Sequence, residues 1–238
     1  MNTLSGRACL LRLRARMKVS HLDPDVTDAP SRRHHLALAA IAGGGVALLA
    51  AMVARLGVDE HWPIDHRVRA KLASHGKPRL RATLEVVGTA GTVGVYAPAT
   101  VLAMLLVARR HGHRARAWPV AGSVVAAAAG CLALKHVVRR PRPRPKTGAY
   151  NAKPSFPSGH STRASAAALA IAYVLVRERI APREVALPVA IALSLGTGVS
   201  RAYADAHWTT DVIGGWALGG ASAALSAIYY EYVRAFNH

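Results

Sequence analysis

Acidic residues are scarce in this chain: 12 Asp and Glu stand against 31 Lys and Arg, a formal net charge of +19 over 238 residues. Aromatic residues make up only 5%, with four Trp, seven Tyr and two Phe. The basic excess calls for an anionic partner, such as acidic lipid headgroups or a phosphorylated substrate. Without aromatics interleaved among the basic residues, and without a DNA- or RNA-binding motif, nucleic acid is excluded. The two cysteines, Cys9 and Cys131, lie far apart, and Cys131 sits in an apolar run, which excludes a disulfide framework. Metal-ligand clusters are missing too. His34-His35 and His111-x-His113 have no carboxylate or thiolate beside them, so neither a metal nor another cofactor is expected. Internal repeats and low-complexity tracts are absent beyond alanine richness.

What the chain has in quantity is apolar residues, 52% of the total, with a mean hydropathy of +0.19. About 20 mostly apolar residues are needed to cross a bilayer core. Six stretches approach that length: 36–56, 91–107, 118–138, 161–176, 187–203 and 212–230. The fourth and fifth are rich in alanine and glycine and carry a weaker signal. The expected fold is therefore all-α, an integral membrane bundle of about six helices. Residues 1–35 form a basic cytoplasmic tail, and residues 36–234 the membrane domain. Arg32-Arg33 reads as the basic flank of the first span rather than a twin-arginine export signal. Segment 58–90 reads as an amphipathic or irregular connection at the bilayer surface, broken at Pro63, Gly76 and Pro78.

Charge counting nearly balances between the two faces. With the N-terminus inside, Arg109, Arg110, Arg114, Arg116, Arg177, Arg179 and Arg183 also face the cytoplasm. The acids Asp59, Glu60, Asp65 and Glu85 offset the basic residues of segment 58–90, which favours this orientation.

Under that topology three polar patches gather at the outer ends of the later spans. The third span ends in KHVVRRPRPRPK, where Lys135 is still inside the apolar pattern and Pro141 and Pro143 carry Arg142 away on an extended segment. Before the fourth span, SFPSGHST combines a tight turn at Pro157 and Gly159 with a potential helix cap, Ser158, just ahead of His160. A helix N-terminus offers free N–H groups and partial positive charge to an anion. Between the last two spans lies SRAYADAHWTTD. His207 and Asp211 stand four residues apart, so on a helix the carboxylate reaches the imidazole and frees its other nitrogen to attack.

Each patch alone has an ordinary structural explanation: a snorkelling lysine, a helix cap, a chance polar pair. Jointly they resemble the three signature motifs of the type 2 phosphatidic acid phosphatase superfamily, also called lipid phosphate phosphatases. Lys135, Arg142 and Pro143 match the first motif, Pro157 to His160 the second, and Ser200, Arg201, His207 and Asp211 the third. The motifs cover residues 135–211.

The resemblance implies a membrane-embedded, metal-independent phosphatase acting on a lipid phosphate or diphosphate at the outer face of a bacterial cell membrane. His207 would be the nucleophile, Asp211 its orienting acid, and His160 the proton donor and later the base. Lys135, Arg142, Ser158, Gly159 and Arg201 would hold the phosphate oxygens. The implied partners are the lipid substrate, of the undecaprenyl diphosphate, phosphatidylglycerophosphate or phosphatidic acid type, and the bilayer. Two other readings stay open: a non-catalytic protein that binds anionic lipid or conducts an anion, and a haloperoxidase-like use of the pocket with vanadate.

Overall fold

A computed structural model describes residues 31–59, 62–74, 78–111, 114–143 and 154–236. The chain divides into two units, 1–35 and 36–238, and the architecture below concerns the second. Residues 1–30, Gly76 and Lys146 lie outside the described residues, and with them most of the basic tail and the last part of the 139–146 run.

Among the described residues the fold is all-α, as expected. The helices are α1 (Arg32–Leu56), α2 (Pro63–Ser74), α3 (Pro78–Gly88), α4 (Val93–His111), α5 (Trp118–Val138), α6 (Gly159–Arg177), α7 (Arg183–Tyr203) and α8 (Thr209–Phe236). Short 3-10 turns, Thr89–Gly91 and Arg114–Ala117, precede α4 and α5. The connection between the first two spans is thus helical rather than irregular. Pro63 and Pro78 open helices instead of breaking them, because the first helical position needs no N–H and favours the proline φ.

Four described helices are long and apolar enough to cross a membrane: α1, α5 with the turn before it, α7 and α8. A fifth span results if α3 and α4, bent by 52° across the turn between them, count as one. The sequence suggested six, and the difference is α6. That helix packs against α4, α5, α7 and α8 at once. Its small residues Ser161, Ala164, Ser165, Ala167 and Ala170 are buried against protein, so it needs little lipid-facing apolar surface. The outward faces of the other helices carry that surface: Leu36, Ile41 and Val46 on α1, Leu102 and Leu105 on α4, Leu132 and Val137 on α5, Ile191 and Leu195 on α7 are all exposed. In water such a surface would be unfavourable; in a bilayer it matches the solvent.

Close packing at the centre depends on glycine. A Cβ at Gly215 of α8 would fall 2.8 Å from the Ser158 carbonyl oxygen, and one at Gly219 only 2.5 Å from that of Thr162. The Gly-x-x-x-Gly step therefore seats α8 on α6 within one subunit, fixing the two helices whose N-termini bear His160 and Asp211.

Candidate active site

The structure brings all three motifs to one end of the bundle. Helix α5 ends when Arg139 turns left-handed, φ 49°, its N–H closing on the Lys135 carbonyl. Within the last turn, the Lys135 ammonium donates to the Pro154 carbonyl at 2.6 Å. Past the helix end, Arg142 Nη1 donates to the Ala206 carbonyl at 3.0 Å and lies 3.4 Å from His207 Nε2. A guanidinium and the expected nucleophilic nitrogen thus share one small space.

Ser158 occupies the N-cap position of α6 and is fully buried. Its hydroxyl does not cap the helix, contrary to expectation. It accepts instead from Ser161 Oγ at 2.9 Å, and the Ser158 N–H is tied to the Asp211 carbonyl, also at 2.9 Å. Gly159 and His160 form the first turn of α6, whose leading N–H groups have no partner within the helix. A Cβ at Gly91 would come within 2.7–2.8 Å of the His160 backbone and Cβ, so the bend between α3 and α4 packs directly on this turn. Arg201, in the last turn of α7, donates to Ser200 Oγ at 3.1 Å, and its Nη2 lies 2.3 Å from where a Gly88 Cβ would stand.

His207 departs from the expected helical pairing. It precedes α8 in the loop after α7, and its Nδ1 lies 3.5 Å from Asp211 Oδ2, not aligned for a hydrogen bond. The imidazole is 5% exposed. Burial pushes it below the ordinary imidazole range, against the opposing pull of Asp211, so the ring is neutral near pH 7.

The fully buried Asp211 is held by residues that the motif reading missed. Ser155 Oγ and the Trp208 N–H, at 2.9 Å, donate to Oδ2; Arg140 Nη1 donates to Oδ1 at 2.9 Å. Arg140 itself is buried and also pairs with Asp65 of α2 at 2.8 Å. Arg69, one turn along α2, grips Asp205 through two bonds of 2.7 and 2.8 Å. A pocket lined by Asp65, Arg69, Asp205, His207 and Trp208 opens beside the imidazole. One signal for Asp65 was present in the sequence: an acid two residues after the proline that opens a helix.

Comparison with known proteins places these features in a family. Residues 116–235 match the PAP2 superfamily, and the chain belongs to it. Among curated relatives, it is 35% identical over 89 residues to phosphatidylglycerophosphatase B of Bacillus subtilis, covering 36% of this chain and 44% of that protein. It is 41% identical over 76 residues to lipid A 1-phosphatase of Rhizobium etli, covering 32% of this chain and 29% of that protein. The chain thus spans less than half the length of these relatives. A solved structure, the transmembrane PAP2 type phosphatidylglycerolphosphate phosphatase from Bacillus subtilis, superposes with a TM-score of 0.70 at 22% identity. That match covers 81% of this chain and 98% of the other, and supports the shared fold.

Proposed function

We propose that the chain is a membrane lipid phosphatase that hydrolyses a lipid phosphate or diphosphate through a phosphohistidine, without a metal. The observation that carries this reading is the neutral, buried His207, its Nε2 3.4 Å from Arg142 and its Nδ1 3.5 Å from Asp211. Cations alone suffice to bind an anion. An oriented, uncharged imidazole beside them is what a nucleophile requires.

In the first step His207 Nε2 attacks phosphorus in line, the P–N bond forms, and the P–O bond to the lipid breaks. His160 gives its proton to the leaving oxygen. The phosphorylated imidazole is cationic, and Asp211 compensates it by closing the 3.5 Å gap to Nδ1. Hydrogen bonds that are long in a resting site commonly tighten this way. In the second step His160 takes a proton from water, the water oxygen attacks phosphorus, and the P–N bond breaks to free phosphate. Lys135, Arg142, Arg201, Ser158 and the Gly159 N–H hold the non-bridging oxygens. Phosphoryl transfer depends mostly on such positioning and charge stabilisation, so these fixed cations fill the part a metal plays elsewhere.

The relatives' names point to phosphorylated glycerolipids and lipid A as substrate classes, and undecaprenyl diphosphate fits an outward-facing site. We place the chain in the bacterial cell membrane with its N-terminus in the cytoplasm, residues 1–35 as a tail and 36–234 as the catalytic membrane domain. The test is phosphate release by purified protein in detergent, with EDTA, from phosphatidic acid, phosphatidylglycerophosphate, lipid A and undecaprenyl diphosphate. Turnover of at least one is expected; silence on all four overturns the reading.

A further inference from the structure

We infer that Asp65, on a helix outside the membrane-spanning segments, is a positioning residue of the catalytic centre: acting through Arg140 and Thr210, it holds the Asp211 carboxylate in register with the His207 imidazole. The inference rests on the phosphatase reading above.

A continuous buried chain of bonds carries it. Asp65 is 1% exposed, Arg140 2% and Asp211 0%. Asp65 Oδ2 accepts from Arg140 Nη2 at 2.8 Å and from Thr210 Oγ1 at 2.6 Å, while Oδ1 accepts the Thr210 N–H at 2.8 Å. The other terminal nitrogen of Arg140, Nη1, donates to Thr210 Oγ1 at 2.7 Å and to Asp211 Oδ1 at 2.9 Å. One guanidinium therefore bridges two carboxylates from helices far apart in sequence, with the Thr210 hydroxyl between them.

Geometry gives the bridge its consequence. A guanidinium is a rigid planar fork, so anchoring one prong on Asp65 sets the direction of the other. Arg140 occupies Oδ1 of Asp211, which leaves Oδ2 as the oxygen that faces His207 Nδ1. Asp65 also takes an N–H from the first turn of α8, a capping contact supplied by a different helix, and so fixes where Asp211 begins. Remove the Asp65 charge, and the guanidinium loses the anchor that sets its direction, drawing the Asp211 carboxylate off the imidazole. The loss falls on the chemical step, because Asp65 is not among the groups that hold the phosphate.

The test uses full-length protein in detergent with phosphatidic acid in mixed micelles. Asp65→Asn is expected to lower kcat by up to about 10²-fold, the scale of a misplaced reacting group. KM should stay within about threefold, and inhibition by vanadate should weaken in step with kcat. Because the residues act as a unit, Asp65→Asn combined with Arg140→Gln should be no slower than the slower single variant. A kcat within about twofold of the wild type overturns the inference, as does a rise in KM with kcat unchanged, or multiplicative losses in the double variant. Should Asp65→Asn not fold, Thr210→Val removes the shared hydroxyl and keeps the N–H; unchanged kcat there is equally fatal. Wild type and His207→Ala run alongside. Wild type silent on every lipid defeats the phosphatase reading, whereas active wild type, silent His207→Ala and full-rate Asp65→Asn defeat only the role of Asp65.

Discussion

Helices α6 and α8 carry a buried polar cluster at each end, separated by some 25 Å on the helical rise of about 1.5 Å per residue. At their C-terminal ends Glu231 accepts from Tyr173 at 2.6 Å and from Arg177 at 2.6 and 3.0 Å, while Tyr230 donates to Glu178. Each of these carboxylates is met by a matching donor, and the tyrosines add close ring packing, Tyr173 edge-on to Tyr230. Such a cluster closes on itself and ties helix ends together. At the N-terminal ends the chemistry differs. Lys135 and Arg201 donate to carbonyl and hydroxyl oxygens, Arg142 lies against an imidazole, and the carboxylates Asp65 and Asp211 are bound up with Arg140. Both ends bury charge, Arg116 and Arg234 included at the C-terminal one; the difference lies in the neutral imidazole that the cations face at the N-terminal end. Carboxylates bonded to tyrosine and arginine are a fastening, and cations around a neutral histidine are a place for an anion.

That contrast breaks most readily at His207. His207→Ala should cut phosphate release by at least about 10³-fold while leaving the thermal transition of the detergent-solubilised protein nearly unchanged, as expected for loss of a nucleophile. Glu231→Gln should do the reverse. Breaking a buried pair costs roughly 3–5 kcal/mol, so the melting midpoint should fall by several degrees while kcat of the folded fraction holds. If Glu231→Gln removes kcat without lowering the midpoint, the two ends are not divided as described.

Arg201→Lys sharpens the comparison at lower amplitude. The ammonium keeps the charge but loses the fork, and kcat/KM should drop by about 10–10²-fold in a lipid phosphatase assay. Smaller still is the pH effect. Burial depresses the His207 pKa below its ordinary 6.5, so the limb of the pH–rate profile that reports protonation of this nucleophile should lie below 6.5. The unfolded chain takes up this proton first, so the contribution of His207 to stability is intact above about pH 6.5 and declines below it. An acid limb centred above 6.5 in the pH–rate profile would contradict the buried, uncharged imidazole.

The motif residues were legible because their chemistry is written in short-range spacing. Lys135 and Arg142, Ser158 to His160, and Arg201, His207 and Asp211 each lie within one short stretch of chain. Arg140 was not legible, and Asp65 had only the proline before it to mark it. In a chain this basic, one acid in a connecting segment and one arginine in a run of four look like solvated surface, and no periodicity links residues 75 positions apart. Helix α6 stands where the sequence suggested a fourth span, and it falls short in apolar content because hydropathy registers what faces lipid and α6 faces mainly protein.

Local order along the chain determined the helical membrane class and the types of group at each helix end, since apolar length, proline placement and residue chemistry are properties of neighbours. Which groups meet was decided by tertiary packing. Helix α8 approaches α6 closely because Gly215 and Gly219 lack side chains, and α2 reaches Asp211 through Arg140 and Thr210. Contact between distant segments depends on the surfaces that pack, and no reading of spacing contains that information.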